Sequence, residues 1–241
     1  MFSPGTVSRQ FRYNEMNAYL AEVIWLTLRV AAASTALSLP AALLIGYKLA
    51  RTRRRIRPVA EALISFPLVA PPVVSGYLML LLLGKNSWLG ELLYRTAGVH
   101  FTFNFAALVA ASVVVSFPLA VRSIRASFEL VDPAYENASL TLGASRLYTF
   151  FRVSVPMAAP GIISGMVLSF ARSLGEFGAS ITLAGNIPGR TQTISLLVYS
   201  NMQVPGKEQE AALLVLVSVC ISFAAIAVSE YFSRQRKPSH T

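Results

Sequence analysis

Five long apolar stretches limit what this chain can fold into more than any other feature of its sequence. They cover about residues 22–50, 63–84, 105–127, 158–184 and 211–232. The hydrocarbon core of a membrane is about 30 Å thick and is crossed by roughly 20 helical residues, whose backbone groups bond within the helix. Charged residues make up 13% of the 241 residues, whereas soluble domains hold about 25%. We therefore predict an all-α polytopic membrane helix bundle with about five transmembrane helices in a single domain, residues 1–241.

The basic residues are shared unevenly between the two ends of these stretches. Thirteen lie at or beyond the ends of the first, third and fifth stretches, namely Lys48, Arg51, Arg53, Arg54, Arg55, Arg57, Arg122, Arg125, Arg146, Arg152, Arg234, Arg236 and Lys237. Six lie at the opposite ends, namely Arg9, Arg12, Lys85, Arg95, Arg190 and Lys207. Cytoplasmic loops carry an excess of Lys and Arg, so we predict an external N-terminus, a cytoplasmic C-terminus and a cytoplasmic loop between spans three and four. The net charge of +10 lies in clusters beside apolar runs, which indicates contact with membrane lipid and not with nucleic acid.

A polar stretch, Asp132 to Pro156, interrupts the chain between the third and fourth spans. Asp132 supplies an N-cap acceptor, and Pro133 suits the first helical position, where its missing N–H costs nothing. Gly143 is typical of the left-handed residue that ends a helix. Ser145 can cap a second helix, which we expect to run as far as the prolines that begin at Pro156. This helix–turn–helix is more than a linker needs, so we expect it to bind a partner protein.

The fourth apolar stretch contains two charged residues and a regular row of small ones. Arg172 and Glu176 are four residues apart, so they can pair on one face of a helix. Two interpretations stay open: an internal ion pair that fixes the helix, or charged groups beside the pathway of a charged solute. The small residues recur every four positions and let a second helix approach closely; they are Gly161, Gly165, Ser169 and Ser173.

Prolines are concentrated in the second apolar stretch, at Pro67, Pro71 and Pro72. An interior proline removes a backbone hydrogen bond and kinks a helix. Membrane helices tolerate single prolines, because neighbouring groups satisfy the freed carbonyls. This cluster is denser than such tolerance explains, so we predict a kink that lines a translocation pathway.

The sequence contains no pattern that supports catalysis or nucleotide binding. The phosphate-binding pattern G-x-x-x-x-G-K-[ST] is absent. One cysteine and two histidines do not make a plausible metal cluster, and no nucleophile–base spacing stands out. We predict no catalytic residues, no metal site and no cofactor bound by this chain. We also predict that this chain is not an enzyme by itself. The energy for transport must then come from another chain.

The polar stretch resembles the EAA-x3-G-x9-I-x-L-P loop of the permease subunits of ABC importers. The matching positions are Asn137, Ala138, Ser139, Gly143, Val153, Val155 and Pro156. Asn137 stands at the position of the leading Glu, with Glu136 one place earlier, and Ser139 replaces the second Ala. Further segments resemble molybdate-importer permeases in particular, namely PLVAPPVVSGYLMLLLLG, SFPLAVRSIR, FARSLGEFGA, NIPGRTQTI and QVPGKE.

The resemblance implies the membrane-spanning subunit of a binding-protein-dependent type I importer in the inner (cytoplasmic) membrane. It implies a second copy of this chain, two ABC ATPase subunits on the cytoplasmic side that bind ATP and Mg, and an external substrate-binding protein. The translocation pathway would carry molybdate by alternating access. The helix from Asp132 to Gly143 would be a coupling helix seated in a groove of the ATPase, and its implied coupling residues are Asp132, Pro133, Glu136, Asn137, Ala138, Ser139 and Gly143.

Three other functions stay open at this point. A permease for sulfate, tungstate or another oxyanion is the nearest. A self-sufficient secondary transporter is disfavoured by the docking helix and by the lack of an internal repeat. A purely structural membrane anchor is the third.

Overall fold

A computed structural model describes residues 4–52 and 56–234. The chain forms eleven α-helices in these ranges: α1 Pro4–Arg51, α2 Arg57–Val69, α3 Pro72–Leu83, α4 Trp88–Ala97, α5 Phe105–Leu130, α6 Pro133–Thr141, α7 Arg146–Thr149, α8 Val155–Leu174, α9 Gly178–Leu183, α10 Ile194–Met202 and α11 Glu208–Arg234. A π-helical turn, Phe150–Ser154, joins α7 to α8. The described residues contain no strand, and the predicted all-α fold class is confirmed.

Within the described ranges, four helical segments are long and apolar enough to cross a membrane. They are Asn17–Arg51, Phe105–Leu130, Arg146–Leu174 and Glu208–Ala227. Helices α2 and α3 together have the length of a fifth span, but they are bent by 108° at the break between them. The predicted polytopic bundle is confirmed, with the first, third and fifth apolar stretches on continuous helices. The second apolar stretch is divided between α2 and α3, and the helical segment of the fourth begins and ends earlier than predicted.

The stretch over 63–84, in which a kink was predicted, is divided between two helices, because α2 ends at Val69 and α3 begins at Pro72. Ala70 has an extended backbone (φ −65°, ψ 143°), as a residue before a proline prefers. Pro71 and Pro72 offer no N–H to continue the bonds of α2. Pro67 lies inside α2 without ending it. The two adjacent prolines, Pro71 and Pro72, therefore produce the corner between α2 and α3.

The fourth span begins earlier than predicted, and its prolines do not stop the helix. The helical segment starts at Arg146 and continues past Pro156 and Pro160 to Leu174. The N–H of Val155 bonds to the carbonyl of Phe150, five residues back. This wider turn lies directly before Pro156, and such turns relieve the clash between a proline ring and the preceding turn.

The fourth span also ends earlier than predicted. The stretch to residue 184 is divided at Gly175, and α9 begins only at Gly178. Glu176 therefore lies in the connection after α8 and not inside a spanning helix.

The core lies where α1, α5 and α8 meet. Buried side chains of these helices form one cluster near α6, which includes Val121, Ile124, Phe128 and Ile162. Close approach is needed there, since a Cβ on Gly46 would lie 2.9 Å from the side chain of Ile124. A second cluster joins α1, α3, α5 and α9. Of the four spanning segments, Glu208–Ala227 of α11 is the least buried, and its apolar side chains are largely exposed.

Helix α6 lies at the end of the bundle where α1 stops, α2 starts and α5 stops. Arg51, Arg57 and Arg125 all make ion pairs at that end. The predicted orientation places this end in the cytoplasm and stays a prediction. Of the residues that support it, Arg53, Arg54, Arg55, Arg236 and Lys237 lie outside the described residues.

Candidate functional site

The predicted helix–turn–helix begins as its sequence indicates. The Oδ1 atom of Asp132 accepts a hydrogen bond from the N–H of Ala134 (2.8 Å), and Pro133 occupies the first position of α6. The second helix starts in the same way, because the Oγ atom of Ser145 accepts from the N–H of Tyr148 (3.2 Å). Both caps satisfy backbone donors that a helix start leaves free.

Gly143 ends α6 in a left-handed conformation, with φ +87°. Its N–H donates to the carbonyl of Leu140 (3.0 Å), and the N–H of Ala144 donates to the carbonyl of Ser139 (3.2 Å). These two bonds form a Schellman motif, which satisfies the last carbonyls of the helix. No atom of the part of the chain that the structure describes lies within 4 Å of the position of a Cβ on Gly143. The residue is needed for its conformation and not for space.

One face of α6 is exposed, and so are several large apolar side chains around the turn. Asn137 and Ala138 lie on this face, as do Asp132 and Pro133 at its start. Leu142 is 89% exposed. Beside the turn lies a shallow, open depression of about 520 Å³, lined by Ser139, Leu142, Gly143, Ala144, Ser145 and Tyr148. Exposed apolar residues beside a concave surface are typical of a protein interaction site.

Glu136 points the other way, into the membrane domain, and is 8% exposed. Its Oε1 atom accepts from Nη2 of Arg51 (2.8 Å) and from Oγ of Ser154 (2.7 Å). Its Oε2 atom accepts from Nε of Arg51 (3.2 Å) and from the hydroxyl of Tyr47 (3.3 Å). We call Tyr47, Arg51, Glu136 and Ser154 the Glu136 cluster. The sequence placed Glu136 with the ATPase-coupling residues, but it did not single out its three partners.

Burial alone would raise the pKa of the Glu136 carboxyl. The hydrogen bonds from Arg51 and Ser154, the charge of Arg51 and the bond from Tyr47 outweigh this effect and hold the pKa below its ordinary value of 4.5. The carboxylate is therefore ionised at neutral pH and attracts the Arg51 guanidinium.

The Glu136 cluster joins four parts of the chain. Arg51 also donates from Nη2 to the carbonyl of Val131 (3.1 Å), at the end of α5. The ring of Tyr47 packs edge-on against Phe128 of α5 (5.2 Å between centroids) and Phe150 of the π-helical turn (4.9 Å). The ends of α1 and α5, the π-helical turn and α6 thus share one polar and aromatic contact.

The ion pair between Arg172 and Glu176 that their spacing allows is present. Nη1 of Arg172 lies 3.0 Å from Oε2 of Glu176. Among the residues that the structure describes, Oε2 has no partner with hydrogen-bond alignment. The Oε1 atom of Glu176 accepts from the N–H of Ala179 (2.8 Å) and so caps α9. Glu176 is 3% exposed, whereas the Arg172 side chain is 27% exposed.

The structure brings this pair close to the corner between α2 and α3. A Cβ on Gly178, two residues after Glu176, would lie 2.7 Å from Cβ of Pro72 and 3.0 Å from the backbone nitrogen of Val73. The start of α9 therefore packs closely against the start of α3. The charged pair and the proline break were predicted separately, and they are neighbours.

The row of small residues on α8 faces α5 and α1. A Cβ on Gly161 would overlap the side chain of Ser127 on α5. The Oγ atom of Ser123 donates to the carbonyl of Gly161 (3.0 Å). Near the other end of the row, the Oγ atoms of Ser173 and Ser34 lie 3.0 Å apart. Gly165 and Ser169 between them are buried as well.

A second ion network, which was not predicted from the sequence, connects α2 to α5. Glu61 of α2 accepts from Nε of Arg57 (2.7 Å) and from Nη1 of Arg125 on α5 (2.5 Å). Arg57 also pairs with Glu129 of α5. The first arm of the broken span is thus held by α5, while the second arm, α3, packs on α9.

Within residues 4–52 and 56–234, no group of three or more His, Cys, Asp or Glu side chains is arranged to hold a metal ion. The predicted absence of a metal site and of a bound cofactor stays a prediction.

Permease proteins of bacterial transport systems are similar to this chain over most of its length. The molybdenum transport system permease protein ModB of Haemophilus influenzae is 45% identical over 87% of this chain and 92% of that protein. The ModB protein of Escherichia coli K12 is 42% identical over 88% of this chain and 93% of that protein. The sulfate transport system permease protein CysT of Salmonella typhimurium is 33% identical over 80% of this chain and 70% of that protein.

Solved structures with low sequence identity share the fold. A chain of the inward-facing MetNI methionine ABC transporter has a TM-score of 0.73 at 15% identity, and the match covers 93% of this chain and 99% of that one. A chain of a bacterial ABC transporter that imports the acidic polysaccharide alginate has a TM-score of 0.69 at 16% identity, over 90% of this chain and 80% of that one.

The family described as the inner membrane component of binding-protein-dependent transport systems matches residues 38–237. This match and the similar relatives confirm the resemblance to importer permeases found in the sequence. The chain belongs to the family of binding-protein-dependent transport system inner membrane components.

Proposed function

We propose that this chain forms the translocation pathway of an ATP-driven importer that carries molybdate across the inner membrane. The observation that carries the proposal is the identity of 45% and 42% with two permeases of molybdenum transport systems, over nearly their whole lengths. Sulfate is the second candidate substrate, because a sulfate permease is 33% identical. Both substrates are tetrahedral oxyanions, so the general mechanism is the same.

The working assembly contains a second copy of this chain, two ABC ATPase subunits and an external binding protein. The ATPase subunits bind ATP and Mg on the cytoplasmic side and supply the energy. Helix α6 and its turn are the proposed contact with them. The exposed Leu142 and Leu147 lie at the end of the bundle where such a partner would bury them.

Transport proceeds by alternating access in this proposal. ATP closes the ATPase subunits, the two α6 helices follow, and the membrane helices move as rigid bodies. The two arms of the broken span have different neighbours, since α2 is ion-paired to α5 and α3 packs on α9. The corner at Pro71 and Pro72 is then a boundary between units that move. Specificity for the anion lies mainly in the external binding protein.

Reconstituted vesicles test this proposal. We expect molybdate-loaded binding protein to stimulate ATP hydrolysis and uptake of radiolabelled molybdate by the complex of this chain with its ATPase. Stronger stimulation by sulfate-loaded binding protein would instead favour the sulfate importer. Vesicles that hold this chain without the ATPase are the control, and uptake by them would contradict an ATP-driven importer and support a secondary transporter.

A further inference from the structure

Glu136 is the only buried residue of α6, all of whose residues, Pro133–Thr141, the structure describes. The other side chains of this helix are exposed or partly exposed. A force applied to the exposed face therefore reaches the membrane domain through few contacts. Among them Glu136 alone makes an ion pair with a distant part of the chain, since Arg51 lies 85 residues earlier.

The partner of Glu136 is well placed to pass a movement on. Arg51 is the last residue of α1, the helix that packs along both α5 and α8. Its Nη2 atom bonds to the carbonyl of Val131 as well as to Glu136. A displacement of α6 thus acts on α1 and on the end of α5 together.

The π-helical turn aims a second donor at the same carboxylate. Ser154, the last residue of this turn, is fully buried and donates to Oε1 of Glu136 (2.7 Å). Turns of this kind occur often at functional sites, because one extra residue redirects the side chains that follow. Here the turn connects α6 directly to the start of α8, in addition to the covalent chain.

We infer that the Arg51–Glu136 pair, supported by Ser154, is the link that transmits movement of α6 to α1 and α8, and that Glu136 is a positioning residue that makes no contact with the ATPase. This inference rests on the proposed function, since it presumes an ATPase docked on α6. It reassigns Glu136 from the coupling surface, where the sequence placed it, to the interior of the subunit. Asn137 and Ala138 remain on the exposed face of α6, where the ATPase would bind.

The experiment measures anion uptake per ATP hydrolysed in vesicles that hold the complete complex. The variants are Glu136→Gln, Arg51→Gln and the double variant, each compared at an equal amount of assembled complex. We expect the ATPase to stay bound and to hydrolyse ATP, while uptake per ATP falls about tenfold or more in all three, because a charge-assisted bond no longer couples the two movements. The double variant should be no worse than either single variant.

Glu91→Gln is the matched control. Glu91 pairs with Arg95 at 2.5 Å in the exposed helix α4, away from α6. This variant removes an ion pair of the same chemistry and should keep the wild-type ratio of uptake to hydrolysis.

Three outcomes would overturn the inference. One is a wild-type ratio in Glu136→Gln. Another is loss of ATPase co-purification in Glu136→Gln but not in Arg51→Gln, which would place Glu136 in the docking contact. If the Glu136→Gln complex does not assemble, Ser154→Ala and Arg51→Lys decide. Both keep the two opposite charges, but Ser154→Ala removes one hydrogen bond to Glu136 and Arg51→Lys removes the paired donors of the guanidinium. A lowered ratio supports the link and an unchanged ratio refutes it.

A wild-type complex that couples ATP hydrolysis to no anion would contradict the proposed function itself. That result is seen before any variant is compared, so the two failures are distinguishable.

Discussion

Two residues of α6 and its turn show how one short segment combines different physical demands. Gly143 supplies a left-handed conformation at a place where a Cβ would meet no atom of the described residues within 4 Å. Glu136 supplies a charge in a buried position, where three side chains donate to it. The first demand can be read from the sequence, because glycine is typical of a helix end. The second depends on residues of two other elements, α1 and the π-helical turn.

Replacing Gly143 by valine should destabilise the turn by about 1–2 kcal/mol, because a β-branched residue is strained at positive φ. We expect weaker co-purification of the ATPase and unchanged folding of the membrane helices. Gly143→Asn is the control, since asparagine tolerates this conformation, and it should retain more of the ATPase. Full co-purification and full uptake in Gly143→Val would contradict the role given to the turn. Affinity pull-down and circular dichroism measure the two effects.

The Glu136 carboxylate predicts a pH dependence of stability. Its pKa is lowered in the folded protein, so its stabilising contribution is complete above the ordinary carboxyl value of 4.5 and is lost as the pH falls through the lowered pKa. Glu136→Gln should be less stable at neutral pH by about 1–3 kcal/mol. The difference in unfolding temperature from wild type should shrink as the pH falls from about 7 to about 3. A difference that stays constant over this range would show that the charge of Glu136 contributes nothing.

At the scale of elements, contacts between helices determined whether a proline ends a helix, and local sequence patterns did not predict this correctly. Prolines at 156 and 160 predicted the end of a helix, but a π-helical turn precedes them and the helix continues. Such a turn has no sequence signature of its own. The opposite happened at Pro71 and Pro72, where a predicted kink is a corner of 108°, stabilised by the contact between Gly178 and Pro72. That contact joins positions more than one hundred residues apart, which sequence patterns do not reveal.

Helix α4 was also absent from the sequence prediction. It is short and mixes charged with apolar residues, so it has neither the length nor the composition of a span. By contrast, the caps of α6 and α7 and the row of small residues on α8 were predictable. They depend on neighbouring residues or on a regular spacing, and both can be read from one segment of chain.

The close packing of α8 on α5 predicts the effect of one added methyl group. Gly161→Ala should destabilise the protein by about 1–3 kcal/mol, because its Cβ would overlap Ser127 and the two helices would have to separate. Gly175→Ala is the matched control, since no atom in the described ranges lies within 4 Å of its Cβ position and its φ is negative. Thermal unfolding in detergent measures both variants. Equal unfolding temperatures would mean that α5 yields to the added methyl without cost.

At the scale of the whole molecule, the open question is whether Arg172 and Glu176 fix the fold or serve the pathway. The pair lies at the junction of α8, α9 and the corner of the broken span. Glu176 is almost fully buried and caps α9, so it is suited to a structural task. The guanidinium of Arg172 is partly exposed, so it can still attract an anion.

Neutral substitutions separate these two tasks. Arg172→Gln leaves the Glu176 carboxylate buried without a cation, and we expect a loss of stability of roughly 3–5 kcal/mol. In the double variant Arg172→Gln/Glu176→Gln, glutamine at 176 can still accept the bond from Ala179, and no buried charge is unpaired. Its unfolding temperature should therefore return close to wild type. Uptake of the anion should nevertheless stay about tenfold or more below wild type, because the cation beside the pathway is gone. Recovery of uptake together with stability would mean that the pair only fixes the fold. Thermal unfolding and vesicle uptake of the same preparations decide between the two, and Gly175→Ala again serves as the control at this end of α8.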